Sequence, residues 1–439
     1  MRIDEIQERI DGRRARVYTA SELKSLVRKG IRPSADEVDA VTCATLGVMS
    51  GTMAVLSLPV APAGTFRKAD SITLNGVPGS VGPCPNESLG LVDCVVYGTS
   101  RRDPSYGGGH LFRDMVAGKG IEVVVTAGGK EHRTRIALKD IPFARMILTR
   151  GAFRNYTCFA NGSDAELRTI FSGPSPLEPG LSEASVSGCG ELNPIENDPD
   201  LDYLKPGACV MLNGAPGIVL GTGTRSTPEK PNLSVAADMH LMRADLMGGF
   251  RTSEGPECLT SVGAAIPVTD GKALDSLSIL DEDVRLPVAD VRDRRPVCFD
   301  RYSSVWQGTD ERISADMSRC LHCGTCLADG SCPVDASPSK GIGPECISCG
   351  CCVSACPGKA FSAELGSVSF DGKEVPIRIR QSSRAKAEEI CAELKGLIEE
   401  GAWRLRCFRW EDTSLSAWRA GRPSPRTTPS AAGTATRAC

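Results

Sequence analysis

Residues 320–356 read CLHCGTCLADGSCPVDASPSKGIGPECISCGCCVSAC, and nine of the chain's twenty cysteines fall within them. Cys320, Cys323 and Cys326 stand two residues apart, and Cys332 follows with Pro333 behind it. Cys346, Cys349 and Cys352 repeat the spacing, and Cys356 is again followed by a proline, Pro357. A C-x2-C-x2-C run lets three sulfurs of one tight loop reach three irons of a four-iron cube, and the fourth iron takes a ligand from elsewhere in the chain. Zinc can use a pair of C-x2-C hooks, but it needs four donors per ion and does not explain two triplets each completed by Cys-Pro. Disulfides need an oxidising compartment. The spacing therefore predicts two [4Fe–4S] clusters.

This is the run of bacterial-type ferredoxins, present twice, in which the fourth cysteine of each run serves the other cluster. On that pattern Cys320, Cys323, Cys326 and Cys356 hold one cluster. Cys346, Cys349, Cys352 and Cys332 hold the second. Cys351 is left over, and His322, inside a cluster loop, tunes or shields rather than ligates. Five residues (LADGS) separate Cys326 from Cys332, where three are usual. The longer loop is expected to displace one fourth ligand and shift that cluster's potential.

Working outward, 439 residues suggest two or three domains at about 150 each. Hydrophobic content of 41% and charged content of 24% fit a globular chain, and a net charge of −3 implies no strong pull toward nucleic acid. The first 23 residues lack the apolar core of a signal peptide, and the most apolar stretch, GVMSGTMAVLSLPVAPAG, is broken by Gly, Ser, Thr and Pro. The expectation is a cytoplasmic protein that meets neither membrane nor nucleic acid, its cysteines used as thiolates or metal ligands.

The expected fold class is α+β: a Gly-rich mixed α/β front domain over 1–305, a two-[4Fe–4S] ferredoxin domain over 311–362, a hairpin plus helix over 363–404, and a disordered tail over 405–439. Thr19 and Glu22 make a capping box for a helix ending at Gly30. Asp371-Gly372 marks a hairpin turn, and residues 382–401 an amphipathic helix with a serine cap and Gly401 at its end. An internal echo pairs ITLNGVPGSVG (72–82) with VMLNGAPGIVLG (210–221), and GHLFRDMVAG (109–118) with MHLMRADLMGG (239–249). Two matches in one order suggest two similar lobes, although short Gly/Pro turns also recur by chance.

Candidate chemistry in the front domain rests on thiols and a Gly-rich loop. Cys43 precedes a Gly turn, Cys84 lies between two prolines, and Cys189 lies between glycines, where a backbone can come close to a ligand. The other front cysteines have apolar neighbours and are expected to pack. A nucleophilic thiol needs a nearby cation or helix N-terminus to become thiolate; Cys43 and Cys84 are the catalytic candidates. Gly107, Gly108 and Gly109 lead into a helix, so their N–H groups are expected to cradle an anionic substrate, with His110 and Arg113 on the first turn.

VTCATLGVMSG, YGGGHLFRDMVAGKG, GCGELNPIENDPDL and LNGAPGIVLGTGT together resemble the archaeal homocysteine-biosynthesis, or sulfur-incorporation, family. With the trailing cysteine segment, the chain resembles that family's methanogen branch, the methanogenesis marker 16 metalloproteins. The resemblance covers roughly residues 5–400. It implies reductive sulfur incorporation into an aldehyde such as aspartate semialdehyde, giving homocysteine or a related thiol. It also implies a small-molecule substrate and a partner that is an electron donor or a second sulfur-transfer or redox protein. The alternative is an electron-transfer or maturation protein of methanogenesis that forms no C–S bond. Two departures favour the alternative. The family carries a cysteine after its Gly-x-Met stretch, and here Ser50 stands there. A second family cysteine has no counterpart in IEVVVTAGGKEHRTRIALKD (121–140).

Overall fold

The computed structural model describes residues 1–82, 86–154 and 156–407. Cys84 and all but the first three residues of the expected tail lie outside the described residues. Helices α1 (Ile3–Asp11) and α2 (Ala20–Arg28) flank strand β1 (Val17–Thr19). The capping box starts α2 as predicted: the Glu22 N–H donates to Thr19 Oγ1 at 3.1 Å, and the Thr19 N–H to Glu22 Oε2 at 2.8 Å.

The chain then runs through β2 (Ala40–Val48), β3 (Thr52–Pro59), β4 (Ser71–Leu74), β5 (Val77–Val81) and β6 (Leu91–Tyr97). The short pair β7 (Arg101–Asp103) and β8 (Tyr106–Gly107) leads into α3 (Gly108–Val116), followed by β9 (Ile121–Ala127) and β10 (Lys130–Ile136). A second passage comprises β11 (Phe143–Gly151), β12 (Cys158–Ala160), β13 (Ala184–Val186) and α4 (Pro194–Asn197). It continues with β14 (Cys209–Leu212), β15 (Ala215–Thr222), β16 (Leu233–Asp238), β17 (Gly248–Thr252) and β18 (Gly255–Pro267).

Most of these strands form one sheet in the order β1-β2-β18-β14-β15-β16-β11-β3-β6-β5-β4-β9-β10, with β17 also on β18. At its centre β3 and β11 pair antiparallel, from Phe143↔Ser57 to Leu148↔Thr52. Outward from that pair one arm reads β6-β5-β4-β9 and the other β16-β15-β14-β18, so the two arms follow the same chain order. The echoed LNG turns close equivalent hairpins. Asn75, Gly76, Asn213 and Gly214 all have positive φ, as a two-residue type I′ turn demands. The histidine echo does not carry over. His110 lies on the nine-residue α3, whereas His240 sits in a single 3-10 turn, where its ring is held by Asp238 and the Ile141 carbonyl.

After α5 (Gly271–Leu277), strands β19 (Arg285–Asp290) and β20 (Pro296–Arg301) join a second sheet, and α6 (Ser303–Trp306) follows. The cysteine segment contains β21 (Ser314–Ala315), α7 (Leu327–Gly330), α8 (Cys351–Ala355) and β22 (Phe361–Ser362). Then come β23 (Ser367–Phe370), β24 (Lys373–Arg380) and α9 (Arg384–Glu399). The second sheet reads β20-β19-β12-β13-β24-β23. The whole is a strand-rich, mixed α/β fold.

Two domain boundaries differ from the sequence reading. The hairpin turns at Asp371-Gly372 as predicted, but β24 pairs with β13, so the hairpin completes a front-domain sheet. Likewise α9 buries Ile390, Cys391, Leu394 and Ile398 in the same core as Val41, Cys43, Val262 and Ala264 of β2 and β18. Periodicity reveals an apolar face but not the surface it covers. Residues 405–407, assigned to the tail, are ordered: the Leu405 carbonyl accepts the Cys209 N–H at 2.9 Å, and Cys407 forms a disulfide with Cys209. That bond departs from the expectation that Cys209 simply packs among apolar neighbours.

A candidate metal centre and its junction with the front sheet

The two cysteine runs adopt the same backbone twice. The His322 N–H donates to Cys320 Sγ and the Ser348 N–H to Cys346 Sγ, each at 3.4 Å. The Ala336 N–H donates to Cys332 Sγ at 3.3 Å and the Ala360 N–H to Cys356 Sγ at 3.5 Å. His322 and Ser348 have φ of 49° and 55°, and Asp335 and Lys359 have φ of 56° and 50°. Left-handed backbone at non-glycine residues carries a cost. Here it turns an N–H toward the sulfur of each run's first cysteine and of each Cys-Pro cysteine. Strands β21 and β22 close the unit, pairing Ser314 with Ser362.

The two predicted ligand sets differ in environment. Cys332, Cys346, Cys349 and Cys352 line one small apolar cavity with Ile313, Val334 and Ile347. Burial pushes the Cys332 thiol up to about 11 and raises Cys346 and Cys352 as well. Such sulfurs ionise only against a compensating positive charge, which a bound metal supplies. In the other set Cys323 is exposed, and Cys320, Cys326 and Cys356 are partly exposed. Among the described residues no three His, Cys, Asp or Glu side chains converge on one metal ion. A four-iron cube spreads its thiolates over four separate metals and does not require that convergence.

The buried, inner set packs on the front sheet. Cys332, Cys349, Val334 and Ile347 share a hydrophobic cluster with Leu46 of β2, Phe250 of β17 and Leu259 of β18. Strands β2 and β18 are therefore buried on both faces, by α9 on one side and the cysteine segment on the other. Around this apolar contact lies a ring of polar ones. Arg251 donates through its N–H to the Pro333 carbonyl at 2.8 Å, and through Nη2 to the carbonyls of Gly330 at 3.2 Å and Cys332 at 2.5 Å. Its guanidinium is also 3.1 Å from Asp335 Oδ1. Arg113 donates to the Val334 carbonyl at 2.8 Å.

The YGGGH loop belongs to this junction and corrects the expected anion cradle. Its N–H groups are already bonded within the protein: Gly107 to His110 Nδ1, Gly108 to the Ser100 carbonyl and Gly109 to the Gly98 carbonyl. The glycines admit close backbone approach, but to the protein itself. A Cβ on Gly108 would stand 2.2 Å from the Tyr97 carbonyl oxygen, and one on Gly109 2.5 Å from that of Gly248. His110 is buried, its ring stacked on Tyr106 and its Nε2 3.6 Å from Asp335. Because Nδ1 accepts the Gly107 N–H, the neutral ring carries its proton on Nε2. Burial pushes its pKa down to about 4.

Cys43 is fully buried on β2, and burial pushes its thiol up to about 12 despite the nearby Lys24. It offers neither access nor thiolate, which corrects its catalytic assignment. Cys189 is also buried, donating weakly to the carbonyls of Leu46 and Ser383. Around it the ELNP loop builds a buried ion network. Arg28 grips Glu191 with two bonds at 2.9 and 2.6 Å, and Arg384 bonds Glu191 at 3.0 Å and also Asp281. Lys24 donates to Asn197 Oδ1 at 2.6 Å and to the Leu277 carbonyl.

A further group escaped the sequence reading. Glu257 lies on β18 opposite Phe250, two residues from Leu259 and so on the same face. Only 6% exposed, it has an Oε2 with no partner among the described residues. Burial raises its pKa, opposed by the hydroxyl of the exposed Ser50. Glu257 thus stands beside the apolar wall of the inner set, at the β2–β3 turn. Neither it nor Arg251 has a local signature, since their partners lie about 80 to 200 residues away in sequence.

A family profile described as "Homocysteine biosynthesis enzyme, sulfur-incorporation" matches residues 15–405. An uncharacterized protein of Methanothermobacter thermautotrophicus is 47% identical over 403 residues, 91% of this chain and 93% of that one. Another, from Methanocaldococcus jannaschii, is 40% identical over 397 residues, 89% and 99% of the two chains. L-aspartate semialdehyde sulfurtransferase of Methanosarcina acetivorans is 28% identical over 333 residues, 70% of this chain and 63% of the relative. No solved structure matches the chain.

Proposed function

Because the chain belongs to the sulfur-incorporation family of homocysteine biosynthesis enzymes, we propose that it reductively incorporates sulfur into an aldehyde such as aspartate semialdehyde, giving homocysteine or a related thiol. The balance is aldehyde plus hydrogen sulfide plus two electrons and two protons, giving thiol and water. Two [4Fe–4S] clusters, held by Cys320, Cys323, Cys326 and Cys356 and by Cys346, Cys349, Cys352 and Cys332, would supply the electrons at low potential. With this cysteine segment the chain fits the methanogenesis marker 16 branch, a small two-cluster ferredoxin domain over 311–362 and an electron-donor partner; the Cys209–Cys407 disulfide stands against the cytoplasmic setting that the sequence suggests.

The observation that carries the reading is the duplicated N–H-to-sulfur pattern at Cys320, Cys346, Cys332 and Cys356. Hydrogen bonds to sulfur and solvent exposure are levers on cluster potential. The chain's own residues would do the rest: Leu46, Phe250 and Leu259 exclude water from the inner set, and Glu257 places a buried carboxyl group at the adjoining turn. Sulfur would arrive as sulfide rather than as a persulfide on Cys43.

One observation favours the alternative, an electron-transfer or maturation protein without sulfur-transfer activity. Cys43, Cys94, Cys158, Cys189 and Cys258 are all buried, and Ser50 occupies the exposed turn. An anaerobic assay with aspartate semialdehyde, sulfide and a low-potential reductant separates the two. Homocysteine formed by the iron-loaded chain, and not by a Cys332→Ser, Cys349→Ser variant, establishes sulfur incorporation. Full iron content without product selects the alternative.

A further inference from the structure

We infer that Arg113 and Arg251 make the two cysteine sets electrically inequivalent, so that the solvent-facing set takes electrons from a donor protein and the inner set passes them toward the front sheet. The inference rests on the two-cluster reading above.

The duplicated backbone allows the halves to be compared position by position. Asp335 and Lys359 occupy equivalent left-handed places, each three residues past a Cys-Pro cysteine. Their surroundings are opposite. Asp335 draws the Arg251 guanidinium at 3.1 Å and faces His110 at 3.6 Å. Lys359 is exposed. Its neighbour Gly358 packs against the backbone of Arg319 and Leu321 within the cysteine segment. An acid in one half and a base in the other therefore orient the segment: the acid docks on front-sheet cations and the base faces water.

The long LADGS loop has a place in this arrangement. It supplies the Gly330 carbonyl that Arg251 grips beside that of Cys332. Two guanidiniums are thus bound to the loop of one inner ligand, in a setting where Cys332, Cys349 and Cys352 are nearly dry. Among the described residues no front-sheet cation bonds the equivalent Cys356 loop. A fixed positive charge favours the reduced, more negative form of a nearby centre, and its pull is stronger where water is excluded. Burial alone would make the inner set the harder one to reduce; the arginines oppose that penalty. On the outer side Cys323 is exposed between the exposed Leu321 and Leu327, an apolar approach for a one-electron donor protein. Each transfer oxidises the donor by one electron and reduces a set by one, with no bond made.

The test uses the full chain with clusters reconstituted anaerobically, reduced stepwise at poised potentials and followed by EPR. Arg251→Met should weaken reduction of one centre at least tenfold, a fall of about 59 mV for one electron, and leave the other in place. Asp335→Asn removes the neighbouring anion and should move the same centre the opposite way. That variant also serves if Arg251→Met folds poorly. Two centres that move together, that both stay put, or that shift in the same direction in the two variants overturn the inference while leaving the two-cluster reading intact. A chain that takes up no iron overturns both.

Discussion

Lys24 is wholly buried, and desolvation pulls its pKa from 10.5 down to about 8. Between those values the unfolded lysine is protonated and the folded one neutral, so folding releases a proton and stability rises with pH. The contribution is complete above pH 10.5 and is lost as pH falls through 8. Its span is about 3 kcal/mol, at 1.36 kcal/mol per pH unit. Roughly 1.5 kcal/mol of this falls between pH 8 and 9.5. Buried thiols work against it: Cys43, Cys94 and Cys258 are each raised from 9.0 to about 12, so each removes stability as pH climbs past 9. The informative quantity is therefore the difference between wild type and Lys24→Met, in which the thiol contributions cancel. Urea unfolding under anaerobic, reducing conditions at pH 7.5, 8.5 and 9.5 should show wild type gaining on the variant at each step. A difference that stays flat would mean that Glu191 and Asp281 keep the ammonium charged, and the assignment of a neutral Lys24 would fall.

Arg384→Met leaves Asp281 buried without its counter-charge and Glu191 with Arg28 alone, and should cost about 3–5 kcal/mol in urea unfolding; a loss below 1 kcal/mol would show that Arg28 alone compensates both. Gly108→Ala forces a methyl against the Tyr97 carbonyl and should destabilise by about 1–3 kcal/mol or more. Calorimetry should show phosphate binding at this loop to be negligible in wild type and variant alike, whereas measurable binding in wild type lost in the variant would restore the anion cradle.

What could be read from the chain was local. The Thr19–Glu22 capping box and the Asp371-Gly372 turn are each specified within a few residues by sterics or hydrogen bonding, and each lies where it was expected. The LNG turns were legible for the same reason, and the matching strand order of the two arms follows from their hairpins. The YGGGH loop was misread because consecutive glycines signal only that something approaches the backbone. Here that is Tyr97 and Gly248, and the same signal would attend a phosphate. Cys43 was misread because flanking residues do not report depth, and β2 is covered on both faces by segments over 200 residues downstream. The grip of Arg251 on the Cys332 loop depends on a register set by the entire β18 ladder.

The return of α9 and Leu405 to the core of the main sheet bears on how the protein is made. A ribosome releases residues 320–356 before it releases the helix that closes the front sheet. The cysteine segment is thus a detour in mid-chain and not a cargo hung on the end. Stopping synthesis near residue 310 would leave β2 and β18 without the side chains of Ile390, Leu394 and Ile398, exposing the sheet's longest strand to water. Any loading of iron during translation would meet a front sheet still open on one face. The smallest autonomously folding unit is expected to be the nearly complete chain.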